Sequence, residues 1–216
     1  MQTILFNEIN MYLDFGLILR SKTIGTPTPK TQEVDIPGAD GTLDLTEYLG
    51  KVTYNNVPLS FEFETVLRQD EFLKLFASIK NAIHGKKMKT VLSIDEEFYY
   101  FGRVYVNEWQ SDKTIGKITI DVNAEPYRYR TNKTVQSVMI GEAGTLTVNL
   151  INLKKQVTPT ITVSAETNIK FKTMSYSMSA GTASFYDFQL TEGENIFTFE
   201  AEPGTVITVE YQEGEL

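Results

Sequence analysis

Apolar and polar residues alternate with a period of two along most readable stretches of the chain, and repeat with a helical period only once. In Val57–Val66, Leu59, Phe61 and Phe63 fall on one face and Ser60, Glu62 and Glu64 on the other, which predicts a half-buried strand. Over residues 70–84, Phe72, Leu73, Phe76, Ile79 and Ile83 recur at three- and four-residue spacing. Asp70 reads as N-cap and Gly85 as the stop, so the pattern predicts one helix lying against a sheet. His84 reads as a cation in its last turn, beside Lys86, Lys87 and Lys89. Those lysines suit a solvated turn, or contact with an acidic partner.

Before the helix, strands are expected at residues 5–10 and 17–22. Residues 23–50 form a long loop with Pro27, Pro29 and Pro37 and the turn pairs Pro37-Gly38 and Asp40-Gly41, with short strands near residues 32–36. Leu43, Leu45, Tyr48 and Leu49 argue that it is ordered. After the helix come a strand at 89–94, a turn at Asp95-Glu96-Glu97 and a long strand at 98–110. A turn at 111–116 and a strand at 117–124 follow, and Pro126 ends the meander. The long strand reads as a hairpin arm gripping a neighbouring subunit, or as a central strand of the sheet. Further strands follow without a helix, at 134–140, 145–150, Thr160–Val163, 168–173, 183–190, 195–200 and 205–211. Seven strands at short, turn-marked spacing predict a β-sandwich. The expected fold is mainly β with one helix, divided near residue 130 into domains 1–130 and 131–216.

Composition narrows the chemistry. The chain has 216 residues, including 13 Phe, 11 Tyr and one Trp, but no Cys, which excludes disulfides, thiolate metal sites and Cys nucleophiles. His84 is the single histidine, so neither a His-cluster metal site nor a triad without it can be built in one chain. The formal net charge of −8 argues against gripping nucleic acid. The first residues lack a signal peptide's basic and apolar regions, and no run of apolar residues is long enough to span a membrane.

No Gly-x-Ser-x-Gly elbow or phosphate-binding Gly-Lys-Ser/Thr motif is present. Glu62 and Glu64 read as a solvated sheet face rather than an acid–base pair. Asp35, Asp40 and Asp44 lack the spacing of an EF-hand and suit turns instead. No catalytic, metal or cofactor residues are expected. Trp109, Tyr176 and Tyr186 are the aromatics that could stack on a sugar ring. They keep open a second reading, a carbohydrate-binding module recognising cell-wall polysaccharide. An enzyme acting on the cell wall is the third.

The stretch from Val34 to Phe63 carries Pro37, Gly38, Asp40, Gly41, Leu43, Asp44, Leu45, Thr46, Val52, Tyr54, Leu59, Phe61 and Phe63. It resembles the N-terminal region of distal tail proteins of long-tailed phages infecting Gram-positive bacteria. Pro126, Tyr127 and Tyr129 resemble that family's domain junction. Val57-Pro58 departs from it, where many relatives carry Arg before the strand. The resemblance implies an N-terminal β-sandwich or belt-like domain and a C-terminal galectin-like β-sandwich. It implies a structural protein forming a homo-hexameric ring at the virion tail tip, assembled in the host cytoplasm. Implied partners are the tail tube protein, the tape-measure or tail-hub protein, and receptor-binding or baseplate proteins. Neither specific nucleic-acid binding nor a membrane is implied. Candidate inter-subunit contacts are Pro37, Gly38, Asp40, Gly41, Leu43, Asp44, Leu45 and Tyr54 in the loop. Phe98, Tyr100, Tyr105 and Trp109 are the candidates in the arm.

Overall fold

The structure, a computed structural model, describes residues 2–48, 50–67, 69–111 and 114–216, with the backbone alone at Gln69 and Glu108. The chain divides into two compact units, Met1–Arg128 and Tyr129–Leu216.

The first unit carries β1 (Ile4–Phe6), β2 (Ile9–Asn10), β3 (Ile18–Ile24), β4 (Glu33–Asp35), β5 (Thr42–Asp44) and β6 (Val57–Val66). After them come α1 (Gln69–Ile83), β7 (Lys87–Leu92), β8 (Asp95–Ser111) and β9 (Ile115–Arg130). One antiparallel sheet runs in the order β2-β1-β7-β8-β9-β6-β3. The alternation in β6 buries Val57, Leu59, Phe61 and Phe63 with Ile118, Ile120 and Val122 of β9. Phe72, Ile79 and Ile83 of α1 close this core. Asp70 and Glu71 in the first turn and Lys80 in the last complement the helix dipole. Gly85, at φ 75°, ends the helix as expected.

Several local expectations need correction. Residues 5–10 are not one strand but the hairpin β1–β2, turned by Asn7 at φ 55°. The helix starts at Gln69, so Asp70 lies in its first turn rather than at the cap. Leu73 is 45% exposed, because the buried stripe runs through Phe72, Ile79 and Ile83. Asp95-Glu96-Glu97 is not a turn. Leu92 pairs with Asp95, so Ser93-Ile94 makes the connection and the three acids belong to β8. Pro126 does not end β9. The last rung with β6 is Val57–Ala124, so a proline two residues further on removes no bond to that neighbour. Leu49 and, within the expected turn at 111–116, Asp112 and Lys113 lie outside the described residues.

His84 does not reach the helix carbonyls: its Nδ1 accepts the Val106 N–H at 3.0 Å. The capping cation is Lys86, whose Nζ donates to the Ala82 carbonyl at 2.6 Å.

The second unit carries β10 (Thr134–Met139), β11 (Thr145–Asn152), β12 (Thr160–Val163), β13 (Thr167–Phe171) and β14 (Met174–Met178). β15 (Gly181–Ala183), β16 (Gly193–Ala201), β17 (Val206–Tyr211) and β18 (Gly214–Glu215) complete it. Two four-stranded sheets, β10-β17-β12-β15 and β11-β16-β13-β14, enclose one core. Phe171 stacks on Phe197 with ring centroids 4.3 Å apart, and Phe188 meets both edge-on. Residues 183–190 are not a strand. Gly181–Ala183 pairs with β12 and Leu190 bridges to Val157, and between them the chain turns so that Phe188 drops into the core. The hairpin strand β14 has three exposed residues in five, which leaves a weak apolar signal in the sequence.

Tyr211 donates its hydroxyl to the Ile151 carbonyl at 2.6 Å. Burial, reinforced by the Glu213 carboxylate, pushes its pKa up to about 12. A raised folded-state pKa favours the fold fully below the unfolded value, about 10, and that contribution fades as pH climbs towards 12. Tyr211→Phe should cost about 1 kcal/mol near pH 8, the worth of one hydrogen bond. Urea titrations at increasing pH should show the gap to wild type closing between about pH 10 and 12. A constant gap would contradict this account.

Candidate functional site

Residues 25–56 form an exposed two-stranded arm that prolongs the pairing of β3 with β6. Its rungs begin where Gly25 N–H donates to Pro58 O (2.9 Å). They continue through Asn55 N–H to Thr28 O (2.9 Å), Lys30 N–H to Thr53 O (2.8 Å) and Leu45 N–H to Gln32 O (2.7 Å). Beyond them β4 pairs with β5 in the register Glu33–Asp44, Val34–Leu43 and Asp35–Thr42.

The motif residues build the tip. Ala39 N–H donates to Ile36 O at 3.1 Å across Pro37 and Gly38. Pro37 presets φ, and Gly38 supplies the φ of 87° that such a turn needs at its third position. Asp44 accepts the Thr46 N–H at 2.8 Å. Hydrogen bonds from the Thr46 side chain and backbone hold the Asp44 carboxyl below the usual carboxylate range. These residues therefore shape a turn and show no geometry for holding calcium.

Every residue from 28 to 44 is exposed. Val34, Ile36 and Leu43 are each more than 40% exposed, and Tyr48 is 81% exposed. At the base of the arm Tyr54 meets Tyr127 edge-on, with ring centroids 6.2 Å apart. Exposed apolar side chains grouped on one arm are the kind of surface that a partner covers.

The other sequence candidates lie apart from the arm tip. Phe98, Tyr100, Tyr105 and Trp109 all sit on β8, between β7 and β9 in the sheet. Tyr100 packs against the core. Arg128 lies over the Phe98 ring at 4.5 Å. Trp109 contacts Phe72 and Phe76 of α1 at 5.6 and 5.8 Å. Tyr105 faces outward, 37% exposed. β8 thus lies inside the sheet over residues 95–103, which pair with β7, and the exposed two-stranded arm is the stretch read from sequence as a loop. In the second unit, Tyr176 stacks on Phe185 at 4.9 Å and donates to Asp187 at 2.5 Å. That bond, and the charge of Asp187, raise the Tyr176 pKa. Tyr186 is 81% exposed beside it in sequence. Among the described residues no group of three or more His, Asp or Glu could hold a metal ion, and no helix is long and apolar enough to cross a membrane.

No family model matches the sequence, and no curated protein does either. Among solved structures, the crystal structure of the Dit protein (gp 19.1) of phage SPP1 matches with a TM-score of 0.73, covering 100% of both chains at 13% identity. The chain has the Dit fold. The SPP1 protein is described as a paradigm of the hub adsorption apparatus in phages infecting Gram-positive bacteria. The Dit match spans both units, whereas the sequence resemblance was carried mainly by residues 34–64.

Proposed function

We propose that this chain is a non-enzymatic structural protein of a phage tail tip, a Dit-like hub in the adsorption apparatus. The observation that carries the reading is the full-length match to SPP1 Dit at a TM-score of 0.73. In this reading copies of the first unit close into a hexameric ring joining the tail tube to the hub and receptor-binding or baseplate proteins. The arm at residues 25–56 supplies one inter-subunit surface, through the tip shaped by Pro37, Gly38, Asp40 and Gly41. The second unit is a galectin-like sandwich in this reading. The virion tail tip is its final place, and the host cytoplasm is where it assembles.

Light scattering after size exclusion, with negative-stain images of the peak, tests the ring. The expected mass is six times the 24.5 kDa chain, with annular particles. A monomer at micromolar concentration would count against a ring that closes without a partner.

A further inference from the structure

The first unit holds two clusters of opposite charge, most of whose members have no ion-pair partner among the described residues. The arm carries Glu33, Asp35, Asp40, Asp44 and Glu47 against only Lys30 and Lys51. None of those five carboxylates has a cation within ion-pair distance among the described residues.

The second cluster lies on β7 and β8. Lys87 and Lys89 alternate with buried Met88 and Thr90, so both point to the face opposite the core. The register sets Lys87 directly across from Arg103, and Lys89 across from Phe101. Like charges directly opposite repel, and such a pair invites an anion. Glu125 relieves Lys87 at 2.7 Å. Lys86, Lys89 and Arg103 have no carboxylate partner among the described residues. Aromatic rings floor the patch. Lys87 lies 4.7 Å over Phe101 and Lys89 lies 4.6 Å over Tyr99, with Tyr105 exposed alongside.

The patch is held in place before anything binds. Lys89 N–H donates to Asn7 Oδ1 at 2.9 Å, and Asn7 N–H returns a bond to Lys89 O at 2.8 Å. The Arg103 guanidinium donates to the Gly85 carbonyl. Among the described residues, neither the five arm carboxylates nor Lys86, Lys89 and Arg103 find an opposite charge within ion-pair distance.

We propose that the acidic arm of one copy docks on the Lys87–Lys89–Arg103 face of the next. The exposed Val34, Ile36 and Leu43 then cover the aromatic floor. Arm and face are different surfaces, so the contact is heterologous and propagates head to tail, either closing into a ring or running on as a filament. Closure at six copies rests on the ring reading above; the pairing of arm with face does not. Nucleic acid is the other polyanion that a basic face attracts, but five unpaired carboxylates on the same unit repel it.

Charge reversal on the full chain tests the contact, read by light scattering in about 0.1 M salt, where exposed charges still act over roughly 10 Å. One variant reverses the arm (Asp35→Lys, Asp40→Lys, Glu47→Lys), and the other reverses the face (Lys89→Glu, Arg103→Glu). All five side chains are exposed, so thermal melts should match wild type. Each variant alone should lose at least tenfold of the assembled fraction. Mixed in equal amounts they should reassemble, because the positive arm meets the negative face and the negative arm meets the positive face. A wild type that assembles while both variants assemble equally well overturns the contact and leaves the ring reading standing. Variants that fail alone and fail when mixed also overturn it. A wild type that stays monomeric overturns the contact and leaves a hub whose ring closes only on a partner. If the face variant loses binding to a labelled DNA duplex but still assembles, the face belongs to nucleic acid and the contact is wrong.

Discussion

Replacing residues 29–54 with Asn-Gly should give a folded monomer. Thr28 and Asn55 already make the closing bond that a two-residue hairpin needs, Asn55 N–H to Thr28 O at 2.9 Å. Asn-Gly is the favoured pair for such a turn. The excised segment contributes no residue to the buried core of the first unit. The cost to folding is the Tyr54–Tyr127 edge contact, about 0.5–1.5 kcal/mol, which lowers the melting temperature by only a few degrees. The effect on assembly should be all-or-none, since the arm carries both the apolar and the acidic contact residues. Light scattering and calorimetry on the same sample separate the two effects. Rings that persist without the arm would show that another surface closes them.

Gly102→Val should have the largest effect on stability. Gly102 sits mid-strand in β8, paired with Met88 of β7. A Cβ there would run into the Asn123 carbonyl oxygen and, at 2.5 Å, the Ala124 Cα. Both are main-chain atoms of β9, so no side-chain rotation makes room. A new methyl group would force the two central strands apart, and valine adds two more. We expect a loss of about 3 kcal/mol or more, at the upper end for overpacking. That lowers the melting temperature of the first unit by roughly 10 °C. The second unit has its own core and should melt as before. Two calorimetric transitions in wild type, with only one displaced in the variant, would bear this out. An unshifted first transition would mean that β8 and β9 are not as closely packed as described.

Most of the sheet was legible because burial leaves a direct trace in sequence. Leu59, Phe61 and Phe63 alternate with Ser60, Glu62 and Glu64, and the strand runs from Val57 to Val66 as expected. The helix was legible for the same reason, apart from Leu73 and the cap. Boundaries failed where the signal was a polar or proline residue rather than a buried one. Asp95-Glu96-Glu97 reads as a turn, and Pro126 as a stop, yet pairing with neighbouring strands overrides both. The aromatic run at residues 185–188 reads as a strand until the core claims Phe188.

The candidate site divides in the same way. The tip chemistry of Pro37, Gly38 and Asp44 could be read directly, because a turn's φ and hydrogen-bond demands are local and few residues meet them. The sequence alone determined a β-rich chain with one helix, no cysteine chemistry and an acidic, turn-marked segment before the first long strand. Only the tertiary structure decided which hairpin is free. Long-range pairing places β8 between β7 and β9, while residues 28–44 stay exposed beyond the base of the arm. It also brought Lys87, Lys89 and Arg103 to one face, because strand register depends on contacts between distant residues and leaves no mark in either strand's own pattern.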